Sequence, residues 1–330
     1  MKIALLSITN NGRTIVNNIY TQIIDDPTVI KVNMFHKNIK ETLDNIFNSY
    51  DCILGVMATG IMVRNICTLI KNKGEDPAVL VTDEKGKYVI SLISGHLGGA
   101  NIFTEKIADI IGADPIITTS TDINNKLGID SLARKYYLKI DDISKIKHIN
   151  SGLIYNKKIE IAFNPKLNYI WNDLEVKKSY YKSSNKSNTI TVSKDLISIN
   201  LKPQKLVVGI GSRKDISGLA VINAIKNALN ILGLPVERVD LIATGEMKQN
   251  ENGIIDAAQK LNIKLEIISE NLLKNYKNLD LNNSDFVKEK FGVGGVCEPS
   301  SLIAAGNDSL LIFKKTSYNG VTVAVAVSKN

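Results

Sequence analysis

Apolar residues recur along this chain with two different periods. KIALLSI opens it as a short buried run, and a helical stretch with polar caps follows through Ile24. DCILGVMA is a second buried run that breaks at Thr59-Gly60 into IMVRNICTLI, whose spacing is helical. AVLVTDEKGKYVISLIS predicts two strands around a Glu-Lys-Gly turn. A helix over ANIFTEKIADIIG starts after Gly98-Gly99 and stops at Gly112, and PIITTSTD is a further strand with a polar end. Strands alternating with helices predict a parallel or mixed sheet covered on both faces.

From about Tyr136 to Pro203 the texture changes. IEIAFN, NTITVS and LISINL are short and rich in β-branched residues, and the polar YYKSSNKSN between them is an exposed loop. The alternation restarts near Lys205. KLVVGIGSRKD, RVDLIATG and KLEIIS contain strands, EPSSLIAAG a helical turn, and SLLIFKK with VTVAVAVS a closing strand pair. The expected class is α/β: an α/β domain over 1–135, a small β-rich middle segment over 136–203 and a second α/β domain over 204–330. The two α/β parts share no clear residue repeat.

The chain has 330 residues, 44% of them hydrophobic, enough for more than one core. No run approaches the roughly 20 apolar residues that cross a bilayer, and the N-terminus lacks the layout of a signal peptide. Cys52, Cys67 and Cys297 are odd in number, far apart and without a CxxC pair. That argues against a disulfide framework or cysteine metal site and for a cytoplasmic protein. Net charge is 41 − 33 = +8, which favours anionic partners. Nucleic acid is disfavoured, because the lysines are dispersed along the sequence, aromatics are 6% and no aromatic–basic motif occurs.

Four turns of small residues, three of them with glycine, follow strands, where α/β sheets bind ligands: Ala58-Thr59-Gly60, Ser94 to Gly99, Thr118 to Asp122, and Gly209 to Arg213. Their backbone N–H groups could face an anion, and Arg64 and Arg213 each follow such a turn and could fork a carboxylate. Taken singly, each turn is better explained by the backbone angles it needs. Neither GxxxxGK[ST] nor GxGxxG is present. His96, one of three histidines, sits in SGHLGGAN and is the candidate for proton transfer or ligand contact. Glu298 precedes Pro299 at a helix start, as a general base or as a favourable charge there. Cys297 beside it could be a nucleophile.

ATGIMVRNI, EDPAVLVTDEKGKYVISLISGHLGGAN and PIITTSTD, followed later by VVGIGSRKD and GVGGVCEPSSLIAAG, resemble the cobalt-precorrin-5A hydrolase family of anaerobic cobalamin (vitamin B12) biosynthesis. The resemblance covers both ends of the chain in the family order, with a variable middle. It implies opening of the ring A δ-lactone of a cobalt corrinoid and release of acetaldehyde, giving cobalt-precorrin-5B. It implies an anionic substrate that brings its own cobalt, no further cofactor or metal site, and transient contact with neighbouring pathway enzymes, with neither membrane nor nucleic acid. His96 and Glu298 are then the catalytic candidates. Thr59, Gly60, Arg64, Gly95, Gly98, Gly99, Asn101, Thr119, Asp122, Gly211, Ser212 and Arg213 are candidates for substrate binding, with amides near Gly98-Gly99 as oxyanion donors. The family often carries cysteine where this chain has Ser212, so a thiol role there is not expected. A non-catalytic corrinoid carrier would use the same loops.

Overall fold

The computed structural model describes residues 1–185, 187–276, 278 and 295–329. They divide into two compact units, Met1–Lys202 and Pro203–Asn330.

The first unit contains two sheets. The larger has the order β2-β1-β3-β4-β5-β6, formed by β1 (Lys2–Ser7), β2 (Lys31–His36), β3 (Cys52–Val56), β4 (Ala78–Thr82), β5 (Tyr88–Ile93) and β6 (Asp114–Ile116). β3 and β4 are buried at every position, as expected of inner strands covered on both faces. Their side chains alternate between two cores. Cys52, Leu54, Ala78 and Leu80 join Val16, Ile19, Phe103 and Ile107, from helices α1 (Asn10–Ile23) and α4 (Ala100–Ile111). Ile53, Val79 and Val81 join Leu43, Ile46, Met62 and Ile66, from α2 (Ile39–Ile46) and α3 (Thr59–Ile66).

The direction of the strands decides where the loops go. β1 to β4 run parallel, but β4 and β5 form the expected hairpin and are antiparallel, with Val79 opposite Ile93 and Thr82 opposite Val89. β6 then runs parallel to β5. The segment after β3 therefore leaves one edge of the sheet, where Met57 N donates to Thr82 O. The segments after β5 and β6 leave the opposite edge. Of PIITTSTD only Pro115 and Ile116 are strand, within β6, and its polar end enters the short helix α5 (Ser120–Ile123).

The smaller sheet has the order β7-β11-β10-β8-β9, from β7 (Leu138–Ile140), β8 (Glu160–Phe163), β9 (Tyr181–Lys182), β10 (Ile190–Lys194) and β11 (Ile197–Pro203). The middle segment is less purely β than its β-branched runs predict. It also contains α7 (Ile146–Ile154), α8 (Leu174–Ser179) and a 3-10 stretch over Pro165–Asn172, and is preceded by α6 (Ile129–Lys135). Of the exposed loop YYKSSNKSN, Lys186 lies outside the described residues.

The second unit has one sheet, β14-β13-β12-β16-β15, formed by β12 (Leu206–Ser212), β13 (Leu241–Gly245), β14 (Leu265–Ile268), β15 (Leu310–Tyr318) and β16 (Val321–Val327). Helices α9 (Gly218–Ile231), α10 (Asn252–Leu261) and α11 (Glu270–Asn275) precede α12 (Cys297–Ala305). Leu302, Ala304 and Ala305 of α12 pack on Val207, Leu241, Ala243 and Ala326 of the sheet. Gly209 allows this approach, because a Cβ there would lie 1.9 Å from the Cys297 carbonyl oxygen. Among the described residues no helix is long and apolar enough to cross a membrane.

Candidate active site

The segments after β5 and β6 meet because those two strands are parallel neighbours. His96 from the first lies between two carboxylates. Its Nε2 is 2.6 Å from Asp122 Oδ2 and its Nδ1 is 3.1 Å from Asp130 Oδ2. Thr121 Oγ1 stands 3.2 Å from the same Nε2. Asp122 comes from α5 and Asp130 from the first turn of α6. Burial works against a charged ring here, but the hydrogen bonds and charges of Asp122 and Asp130 outweigh it and push the His96 pKa up to about 9. At neutral pH the ring is an imidazolium that donates from both nitrogens.

The two carboxylates differ. Asp130 is 6% exposed at its side chain, and its Oδ1 accepts from Asn150 Nδ2 at 2.9 Å and from Ser131 N at 3.2 Å. Burial would raise its pKa, and the hydrogen bond and charge of His96 together with Asn150 hold it below the usual value. Asp122 is 38% exposed at its side chain. Its Oδ2 accepts from His96 and, at 3.2 Å, from Asn101 Nδ2. Asn101 is itself oriented, donating to Thr119 Oγ1 at 3.0 Å and accepting from Ser91 Oγ at 2.6 Å.

The glycines around His96 are explained by these contacts. A Cβ on Gly95 would lie 2.6 Å from Asn101 Oδ1, and one on Gly99 would lie 2.3 Å from Arg134 Cζ. Gly99 also has φ +86°, a conformation that side chains disfavour. Arg134 donates from Nη1 to Leu97 O at 2.6 Å, tying the loop to α6. The first amides of α4 are already used, Ala100 N by Ser94 O and Asn101 N by Gly95 O. Those two amides are therefore taken and cannot serve as oxyanion donors.

The structure thus brings His96, Gly95, Gly98, Gly99, Asn101, Thr119 and Asp122 together. Thr121, within the Thr118 to Asp122 turn, joins them, and Asp130, Asn150, Ser91 and Arg134, which were not singled out from the sequence, complete the cluster. Thr59, Gly60 and Arg64 lie at the opposite edge of the same sheet. There Arg64 folds back over the first turn of α3, and a Cβ on Gly60 would be 3.4 Å from its Nη1.

The remaining candidates lie in the second unit. Gly211 is opposite Thr322 and Ser212 opposite Val321 in the β12–β16 ladder. Ser212 Oγ is shielded and has no hydrogen-bond partner among the described residues. Arg213 is exposed, and its backbone N donates to Gly320 O at 2.8 Å. Gly292, Val293 and Gly294 of GVGGVCEPSSLIAAG lie outside the described residues. Glu298 is 2% exposed, and its Oε1 accepts from Lys315 N at 2.8 Å. That amide lies where the β15–β16 register shifts between Phe313 and Thr316, so the carboxylate satisfies a donor beside the irregularity. Glu298→Ala is expected to destabilise the protein by about 1–3 kcal/mol, the cost of a buried donor left unpaired, and Glu298→Gln to recover most of it in urea denaturation. Equal stability of Glu298→Ala and the parent would remove this role. Burial pushes the Cys297 thiol up to about 12, which leaves it protonated and opposes nucleophilic use.

Residues 41–122 match the family described as Cobalamin synthesis G N-terminal, and residues 206–326 match Cobalamin synthesis G C-terminus. A protein of Methanocaldococcus jannaschii named "Probable cobalt-precorrin-5A hydrolase" is 41% identical over 82% of this chain and 84% of its own. The cobalt-precorrin-5A hydrolase of Salmonella typhimurium is 29% identical over 89% and 87% of the two chains. A crystal structure of a cobalamin biosynthesis protein G homologue from Sulfolobus solfataricus superposes with a TM-score of 0.61 at 29% identity, covering 99% of this chain and 97% of that one. With two family matches in order and a relative this similar over most of both chains, the protein belongs to the cobalt-precorrin-5A hydrolase family.

Proposed function

We propose that this chain hydrolyses cobalt-precorrin-5A, opening its ring A lactone and releasing acetaldehyde. The observation that carries this reading is the 41% identity with the Methanocaldococcus jannaschii relative over 82% of the chain. The His96 cluster supplies chemistry that suits it.

In the first step a water oxygen bonds to the lactone carbonyl carbon, the ester C–O bond breaks, and the released alkoxide oxygen takes a proton. In the second, the freed hydroxyl gives up its proton and its oxygen forms a carbonyl. The carbon–carbon bond to the macrocycle then breaks, with the electron pair passing to the conjugated ring. Both steps need a proton acceptor with access to the substrate. In this reading Asp122 is that acceptor, because it combines side-chain exposure with fixed orientation by His96 and Asn101. A ring with a pKa of about 9 is a weak candidate for base at neutral pH. His96 is a positioning residue that also offsets the charge of Asp122, and Asp130 holds its far side. Thr59, Gly60 and Arg64 at the other edge, and separately the exposed Arg213 of the second unit, remain proposed contacts for carboxylates.

The direct test is incubation of the full chain with cobalt-precorrin-5A, with trapping of acetaldehyde and mass analysis of the corrinoid. One acetaldehyde per corrinoid consumed is expected. Corrinoid binding without acetaldehyde release would replace the enzyme with the carrier.

A further inference from the structure

A cleft of about 330 Å3 in the first unit is lined by Lys126, Lys157, Lys177, Lys178, Lys182 and Trp171, with no carboxylate residue among its lining. The lysines come from four separate segments: the loop after α5, the loop after α7, the end of α8, and β9. None of the five forms an ion pair among the described residues. The neighbouring acids are taken by other lysines, Asp173 and Glu175 by Lys135 and Glu160 by Lys158. Lys182 Nζ instead lies 5.7 Å from the Trp171 ring centroid, where the indole face favours a cation.

A solvated surface explains single lysines, and the C-terminal dipole of α8 explains Lys177 and Lys178. Neither explains why Lys126, Lys157 and Lys182 converge on the same cleft. Such a concentration of like charge repels itself in the free protein and attracts an anion of several charges. The cleft also adjoins the His96 cluster through one segment. Asp122 and Lys126 are four residues apart, Lys126 N donates to Thr121 O, and Leu127 is fixed by Ser179 Oγ and the Tyr180 hydroxyl.

We infer that this cleft binds carboxylate arms of a polycarboxylate ligand whose reacting part lies at Asp122. The choice of carboxylate over phosphate rests on the function proposed above. The cleft is too small for an entire corrinoid and takes its arms.

Trp171 is the single tryptophan of the chain, so intrinsic tryptophan fluorescence reports on this cleft alone. The full chain is titrated with benzenehexacarboxylate and, in parallel, with inorganic phosphate. A saturable, salt-sensitive change with benzenehexacarboxylate is expected. In Lys126→Gln/Lys157→Gln/Lys178→Gln its Kd should rise about tenfold, about twofold for each charge removed. Melting of the unliganded variant should be unchanged or higher, since repulsion is relieved. With cobalt-precorrin-5A the variant should show raised KM and retained kcat. A non-saturating response, or equal affinity in parent and variant, overturns the inference even if acetaldehyde is released. Phosphate binding as tightly as benzenehexacarboxylate, with the same loss in the variant, overturns the carboxylate assignment. Lysine-dependent binding of benzenehexacarboxylate without acetaldehyde release leaves the cleft standing and removes the proposed reaction.

Discussion

Asp122→Asn should lower turnover of cobalt-precorrin-5A by about 10²–10⁴-fold, the usual range for loss of a general acid or base, while corrinoid affinity changes little. The amide keeps the size and one carbonyl acceptor for His96 Nε2, at 2.6 Å in the parent, but it cannot accept the proton of a water or an alcohol. Asn101 still donates to the same oxygen. The control is Asn101→Ala, which leaves the carboxylate in place and releases one of its two anchors. It should fall between parent and Asp122→Asn. Turnover of Asp122→Asn within a few-fold of the parent, at normal corrinoid affinity, would end the assignment of Asp122 as proton acceptor. His96 would then return as the candidate.

Removal of His96 should have its largest effect on stability. The ring is 9% exposed, and His96→Ala leaves Asp130 buried without its cation. Breaking a buried pair in this way costs about 3–5 kcal/mol. His96→Gln, which still donates one hydrogen bond, should lose less. The pH dependence separates charge from packing. The ring's pKa is raised from 6.5 in the unfolded chain to about 9 in the fold, so the folded state holds its proton more tightly. The stability this provides is complete below about pH 6.5 and is lost as pH rises through about 9. The shift corresponds to at most about 3 kcal/mol. Urea midpoints from pH 6 to 9.5 should therefore fall more steeply for the parent than for His96→Gln, and the difference between the curves isolates this ring. Parallel curves would show that His96 is not a charged partner of Asp122 and Asp130. Asp130 acts in the opposite direction. Its lowered pKa provides stability above the ordinary aspartate range that is lost as pH falls through the folded value.

Much of the local structure was legible in the sequence, because local periodicity encodes it. The largely apolar CILGV and AVLVT became inner strands, and the Glu-Lys-Gly turn became the β4–β5 hairpin. The consequence of that hairpin was not legible, since periodicity carries no strand order. It sends the loops after β3 and β5 to opposite edges, so Thr59 and His96 separate although both follow strands. Asp130 could not be recognised as a partner of His96, because the contact spans 34 positions and nothing local marks it. Asn101 stood out as part of SGHLGGAN, whereas its role in orienting Asp122 depends on β5 and β6 lying side by side. The lysines misled for the same reason. They are dispersed along the sequence, yet three distant stretches, at 126, 157 and 177–182, bring five of them to one cleft.

The three cysteines occupy unequal environments. Cys52 and Cys297 are buried with thiols pushed far up by desolvation, and Cys67, just past the end of α3, is exposed. A maleimide dye should therefore attach at a single position without any engineered mutation. The labelled chain would carry its own distance gauge, with Trp171 as energy donor and the dye as acceptor, both within the first unit.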